Sequence, residues 1–257
     1  MRTVSLPQAE LCICPDPQTL SRAAADEFTR AAGDAISKQG RFTVALAGGS
    51  TPRSIYALLA ADEASGATKL PWSQIHVFFG DERCVLPDHP DSNFRMASQS
   101  LLDKVPLPST HIHRIRAELG APAAAAEYEA ELKSFFTLRS GEFPRLDLVM
   151  LGLGTDGHTA SLFPNTAALQ ETSRLVCANP VPQLNAERVT LTFPVLNAAA
   201  EVLFVVSGRE KAEILRYILQ GDSSGQRYPA QAVRPSTGHL LWMVDEASAG
   251  QLGSFPL

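Results

Sequence analysis

The stretch LDLVMLGLGTDGHTASLFP, residues 146–164, constrains this chain more than any other. Leu146, Leu148, Val149, Met150 and Leu151 make a nearly unbroken apolar run, as expected of a parallel strand buried on both faces. Gly152, Gly154 and Gly157 interrupt it, so the pattern predicts a strand, a glycine-rich loop and then the start of a helix. In an open α/β sheet the ligand crevice lies at the carboxyl ends of such strands. Asp156 and His158 therefore stand where loop side chains do chemistry.

The rest of the chain alternates strand and helix patterns. Apolar runs over 10–14, 42–47, 75–79, 202–206 and 240–244 read as strands, and 174–181 and 188–193 as two more. Asp16 before Pro17 is an N-cap and first-turn pair, with apolar residues at helical spacing to about Lys38. Helices are also predicted after Pro52, over 122–138 and over 209–219. Residues 110–115 read as a short strand or turn; His111 and His113 share a face there, and without a third ligand at metal spacing they suit a surface strand. The alternation predicts one α/β domain over 1–257 with a doubly wound, mostly parallel sheet and helices on both faces.

Charge narrows the function. A formal net charge of −5 argues against a nucleic-acid binder, so any anion it binds must be held locally. No apolar run approaches the ~20 residues of a membrane span, and the first residues lack a signal-type apolar core, which points to the cytoplasm. The four cysteines form no CxxC pair, which fits reduced structural thiols and no metal.

Three loops at predicted strand ends carry the candidate chemistry. Gly48-Gly49-Ser50-Thr51-Pro52 offers close backbone approach, two hydroxyls and a helix N-terminus. It suits either a phosphate or a plain strand-to-helix turn, and it lacks the lysine of a Walker loop. Gly80-Asp81-Glu82-Arg83 is a solvated turn or a source of at least one side chain in the crevice. Lys211, in the first turn of its predicted helix, opposes the helix dipole and so calls for an anionic partner.

The run 152–157 also matches GxGxxG, but it lies past the middle of the chain and sets Asp156 where a pyrophosphate would bind. A hydrolase or isomerase of a small phosphorylated substrate uses more of these residues: His158 as base, Asp156 to orient it, Arg83 on developing negative charge, 48–51 and Lys211 on phosphate. A non-catalytic sugar-phosphate sensor would leave His158 without a task.

Five motifs in order, LAGGSTP (46–52), FFGDERCV with DSNFRMA (78–85, 91–97), LGLGTDGHTASLFP (151–164), ERVTLTFPVLNAA (187–199) and SGREKA (207–212), together resemble the 6-phosphogluconolactonase family. The wider superfamily includes glucosamine-6-phosphate deaminase, whose similar loop carries a glutamate used in ring opening. Here Phe163 stands at that position, and an apolar ring cannot shuttle a proton. The resemblance implies a three-layer α/β sandwich that hydrolyses 6-phospho-D-glucono-1,5-lactone to 6-phospho-D-gluconate. It implies His158 as general base oriented by Asp156, and Arg83 on the lactone oxygen or the phosphate. Phosphate ligands would be Ser50, Thr51, Arg188 and Lys211, with Gly48 and Gly49 giving backbone approach and Asp81 and Asn93 contacting sugar hydroxyls. No cofactor, metal, nucleic acid or membrane is implied, and the chain is expected to act as a monomer or a homodimer.

Overall fold

A computed structural model describes residues 1–221 and 227–253. The apolar runs become strands whose every residue is buried: β3 (Phe42–Leu46), β6 (Leu148–Leu151) and β9 (Glu201–Val206). They form the middle of a seven-stranded sheet with β1 (Arg2–Leu6), β2 (Ala9–Cys14), β4 (Ile75–Phe79) and β10 (His239–Asp245), in the order β1-β2-β10-β9-β6-β3-β4. Every neighbouring pair is parallel except the β1–β2 hairpin.

Helices α1 (Pro17–Gln39), α2 (Ser50–Ser65), α3 (Asn93–Ser100), α4 (Ala121–Phe135), α5 (Phe193–Ala198) and α6 (Ala212–Gln220) flank the strands. In α1, Asp16 accepts the Thr19 N–H at 2.7 Å, and Gly40 ends the helix in the left-handed conformation (φ 77°). Its buried face carries Leu20, Ala24, Phe28, Ala31 and Ala35, a stripe at helical spacing that packs α1 against its neighbours.

A second, antiparallel sheet, β5 (Asp81–Arg83), β8 (Ala186–Leu191) and β7 (Val176–Val181), was not visible as a unit in the sequence. The sequence reads 80–83 as a solvated turn or as the source of a crevice side chain; in the structure Asp81, Glu82 and Arg83 form a strand that pairs with β8. Gly80 joins the two sheets: its N–H bonds to Leu46 O at 3.0 Å, and its carbonyl accepts the Leu191 N–H at 2.9 Å.

Two local expectations need correction. No helix begins after the central loop; 152–175 runs in turns, with one 3-10 turn at Ala167–Gln170. Gly157, Ala160 and Asn165 take positive φ (80°, 47° and 62°), which breaks any right-handed helical ladder. The hydroxyls of Thr159 and Thr166 bond backbone carbonyls instead.

Residues 110–115 are not a surface strand. They form a 3-10 turn, Ser109–His111, and a single bridge from Ile112 to Val77, and His113 is buried. The sequence showed the His-x-His spacing but not that β4 and α4 enclose it. His113 Nδ1 lies 2.6 Å from Glu131 Oε1, and its Nε2 lies 3.1 Å from His76 Nδ1. Because the carboxylate accepts from Nδ1, the hydrogen bonds assign a donating Nδ1–H to His76. His76 also stacks on His111 at 3.9 Å between ring centroids.

Burial, then the charges of His111, His113 and Arg41, push the His76 pKa down from 6.5 to about 4. The folded state thus takes up this proton later than the unfolded chain, so its contribution to stability is complete above pH 6.5 and is lost as pH falls towards 4. In urea unfolding at pH 7.5 and 5.0, His76→Phe is expected to reduce the loss of stability on acidification by about 1–2 kcal/mol relative to wild type. An unchanged pH dependence would remove His76 from the acid response.

Candidate active site

Loops after β3, β6 and β9 meet β5 around a cavity of 220 Å³. The sequence-predicted Gly48, Gly49, Asp81, Arg83, His158 and Lys211 all line it. Parallel strands make this convergence possible, because their carboxyl ends lie on one edge of the sheet.

His158 is held on several sides. Its Nδ1 lies 2.5 Å from Asp156 Oδ1, and the same oxygen accepts the His158 backbone N–H at 3.1 Å. Burial works against the Asp156 carboxylate, but the hydrogen bonds and charge of His158 outweigh it and hold the Asp156 pKa below the ordinary value. One face of the imidazole stacks on Phe163, with centroids 4.0 Å apart and planes at 25°. Gly154 lies against the ring: a Cβ there would fall 2.1 Å from Nδ1 and 2.7 Å from Asp156 Oδ1. Among the described residues, Nε2 has no hydrogen-bond partner. The imidazole is therefore fixed through Nδ1 and free at Nε2.

The alternation of β5 sorts its three charged residues. Asp81 and Arg83 line the cavity, whereas Glu82 points the other way into the start of α3. The Glu82 carboxylate accepts the N–H groups of Arg83, Asn93 and Phe94 at 2.7–2.8 Å and the Ser92 hydroxyl at 3.0 Å. Burial raises its pKa against the pull of those bonds.

Asp81 accepts the Ser161 hydroxyl at 2.6 Å and Asn93 Nδ2 at 3.2 Å. Asn93 itself lies across Gly48, where a Cβ would come within 1.8 Å of its Oδ1. Asn93 thus supports the cavity wall from behind.

The cationic side of the site comes from two sheets. Arg83 faces Arg188 across the β5–β8 ladder, and its Nη1 donates to Asp91 O at 2.7 Å. Burial and then the charge of Arg83 lower the Arg188 pKa. Lys211 ends a 3-10 turn, Arg209–Lys211, and α6 begins one residue later, which shifts the predicted helix start. The loop before it is tied to Asp245, a fully buried residue at the end of β10. Asp245 accepts the Ser207 hydroxyl at 2.5 Å, the Gly208 N–H at 3.1 Å and the Ser248 N–H at 2.7 Å. Burial opposes ionisation of Asp245, but these hydrogen bonds bring its pKa below the ordinary value.

Ser50 and Thr51 are not brought to the cavity of His158. They line a neighbouring cleft of 530 Å³ with Pro17, Arg22, Leu58 and Ser207. Their link to the site is Gly49, the N-cap of α2 (φ 108°), which carries no side-chain cap bond. Sequence reasoning missed Asp245 and the stacking of Phe163; an acid closing the apolar run LLWMV at a sheet's carboxyl edge was the available signal for the first. Among the described residues, no group of three or more His, Cys, Asp or Glu is placed to hold a metal ion.

Residues 15–242 match the family described as glucosamine-6-phosphate isomerases/6-phosphogluconolactonase. A 6-phosphogluconolactonase of Nostoc sp. is 44% identical over 246 residues, covering 93% of this chain and 97% of that protein. One from Synechocystis sp. is 43% identical over 219 residues, covering 85% and 88%. The solved 6-phosphogluconolactonase from Trypanosoma cruzi is similar with a TM-score of 0.86 at 27% identity, over 99% of this chain and 100% of that one. With its motifs in order and the fold matched end to end, the chain belongs to the glucosamine-6-phosphate isomerase/6-phosphogluconolactonase family.

Proposed function

We propose that this protein hydrolyses 6-phospho-D-glucono-1,5-lactone to 6-phospho-D-gluconate, the second step of the oxidative pentose phosphate pathway. The observation that carries the reading is His158, bonded to Asp156 through Nδ1 and without a partner at Nε2 among the described residues, in a cavity that Arg83 and Lys211 also line. The relatives named 6-phosphogluconolactonase support the same substrate.

In this mechanism a water attacks lactone C1 while His158 Nε2 takes its proton. The carbonyl oxygen becomes an oxyanion next to Arg83. The bond from C1 to the ring oxygen then breaks, and the imidazolium returns the proton to that oxygen, giving the open-chain acid. Asp156 keeps the proton on Nδ1 and steadies the imidazolium. A δ-lactone is an activated ester, so neither a covalent nucleophile nor a metal is required.

Lys211 and Arg188 bind the phosphate as charge-assisted donors. Ser50 and Thr51 contribute through the N-terminus of α2, whose first amides favour an anion, and Gly48 and Gly49 allow close approach. Asp81 presents the wall that meets the sugar hydroxyls, and Asn93, buried behind it, braces that wall through its side-chain amide. Phe163 separates this reading from a deaminase, because the ring stacked on His158 offers no proton. A sensor would leave the Asp156–His158 pair idle. One domain over 1–257 carries the activity, as a monomer or homodimer without cofactor. The four thiols, none in a disulfide, support a cytoplasmic setting; among the described residues no helix is long and apolar enough to cross a membrane.

The test is hydrolysis of freshly generated 6-phosphogluconolactone above its spontaneous rate. His158→Ala is expected to lower kcat by about 100-fold or more with little change in KM. A folded wild type that gives no acceleration would sink the lactonase reading; acceleration with unchanged kcat in the variant would remove the general base. Lys211→Ala should raise KM by about 10-fold and leave kcat near wild type, and saturation at wild-type concentrations would take Lys211 out of the phosphate site. Gly154→Ala should depress kcat by at least about 10-fold while circular dichroism stays native, since its methyl displaces the imidazole. Full activity in that variant would show that the ring position is not critical.

A further inference from the structure

Another cavity, of 450 Å³, lies between α2, α3 and the 3-10 turn Leu102–Lys104, and it shares no residue with the cavity of His158. Three cations line it: Arg53 from the first turns of α2, Arg95 from α3, and Lys104. No acidic side chain lines it. Among the described residues, none of the three has an ion pair or a side-chain hydrogen bond.

The chain has a formal net charge of −5, and Arg22, Arg30, Arg114, Arg116, Lys133 and Arg174 all stand against carboxylates. Like charges gathered from three elements repel one another, and a bound anion removes that repulsion. Two guanidinium forks and an ammonium match the oxygens of a phosphate group. Arg95 and Gln99, four residues apart, share one face of α3, and Met96, Ala57 and Pro90 supply an apolar floor. The volume is that of a small-molecule site.

We propose that this cavity is a second anion site, which binds a small organic phosphate carrying at least two negative charges. The phosphate oxygens sit among Arg53, Arg95 and Lys104, and the carbon skeleton lies against Met96 and Pro90. The proposal is independent of the lactonase reading, because it concerns separate residues and a binding event without chemistry.

Inorganic pyrophosphate is the probe, titrated calorimetrically at low salt into a Lys211→Ala/Arg188→Ala protein so that the first site does not contribute. One equivalent is expected to bind with Kd below about 1 mM, weakened about 10-fold or more by adding Arg53→Gln and Arg95→Gln. Lys104→Glu, a change at an exposed residue, should weaken binding similarly and serves if the double substitution impairs folding. Absence of binding in the Lys211→Ala/Arg188→Ala protein, or binding that these substitutions leave unchanged, overturns the second site. Repeating the titration with adenosine 5′-diphosphate reads the apolar floor: tighter binding than pyrophosphate supports an organic ligand, and no gain overturns that part.

Discussion

Three buried carboxylates at strand ends hold the loops of this site in register. Asp81, at β5, and Asp245, at the end of β10, accept donors from loops that have no regular structure of their own, and Glu82, at β5, accepts them from the N-cap and first turn of α3. A carboxylate removed from water is costly unless its oxygens are filled, and here loop amides and hydroxyls fill them. The loops cannot swing away without leaving an unsatisfied charge behind. Glu82 thereby anchors the segment entering α3, Asp81 the Ser161 and Asn93 side chains, and Asp245 the approach to Lys211.

Within that frame, the imidazole is placed mostly by shape. Asp156 fixes one nitrogen, Phe163 covers one face, and Gly154 makes room where any side chain would collide. Phe163 lies between Ala160 and Asn165, both in the left-handed region, so the chain departs from helix in order to carry the ring over His158. Thr166 bonds back to Phe163 O, and Asn179 of β7 donates to Thr166, so the smaller sheet contributes to the placement of a residue on a loop of the larger one.

The sequence was most legible where burial is continuous. The runs that became β3, β4, β6, β9 and β10 lie close to their observed bounds, and Asp16-Pro17 marked the start of α1. Strand β5 was not legible because three residues show no periodicity, and β1 because Arg2, Thr3 and Ser5 make a polar edge. The Gly-Gly, Asp-x-His and Lys211 motifs all reach the same edge of the sheet. Long-range contacts, in contrast, left no local sign. Examples are His76 with His113, Asp245 with Ser207, and the turn of Ser50 and Thr51 into a neighbouring cleft.

The amino-terminal hairpin has a consequence for handling the protein. Strand β1 pairs along β2 from Arg2 opposite Ile13 to Leu6 opposite Ala9, and it closes an edge that would otherwise run beside the buried Leu11–Cys14 segment. An uncovered, apolar strand edge recruits other chains into intermolecular sheets. With arginine, threonine and serine on its outer run, β1 is a poor template for that growth. It serves as a solubility guard, and shortening the chain before Ala9 would trade a dispensable-looking segment for aggregation.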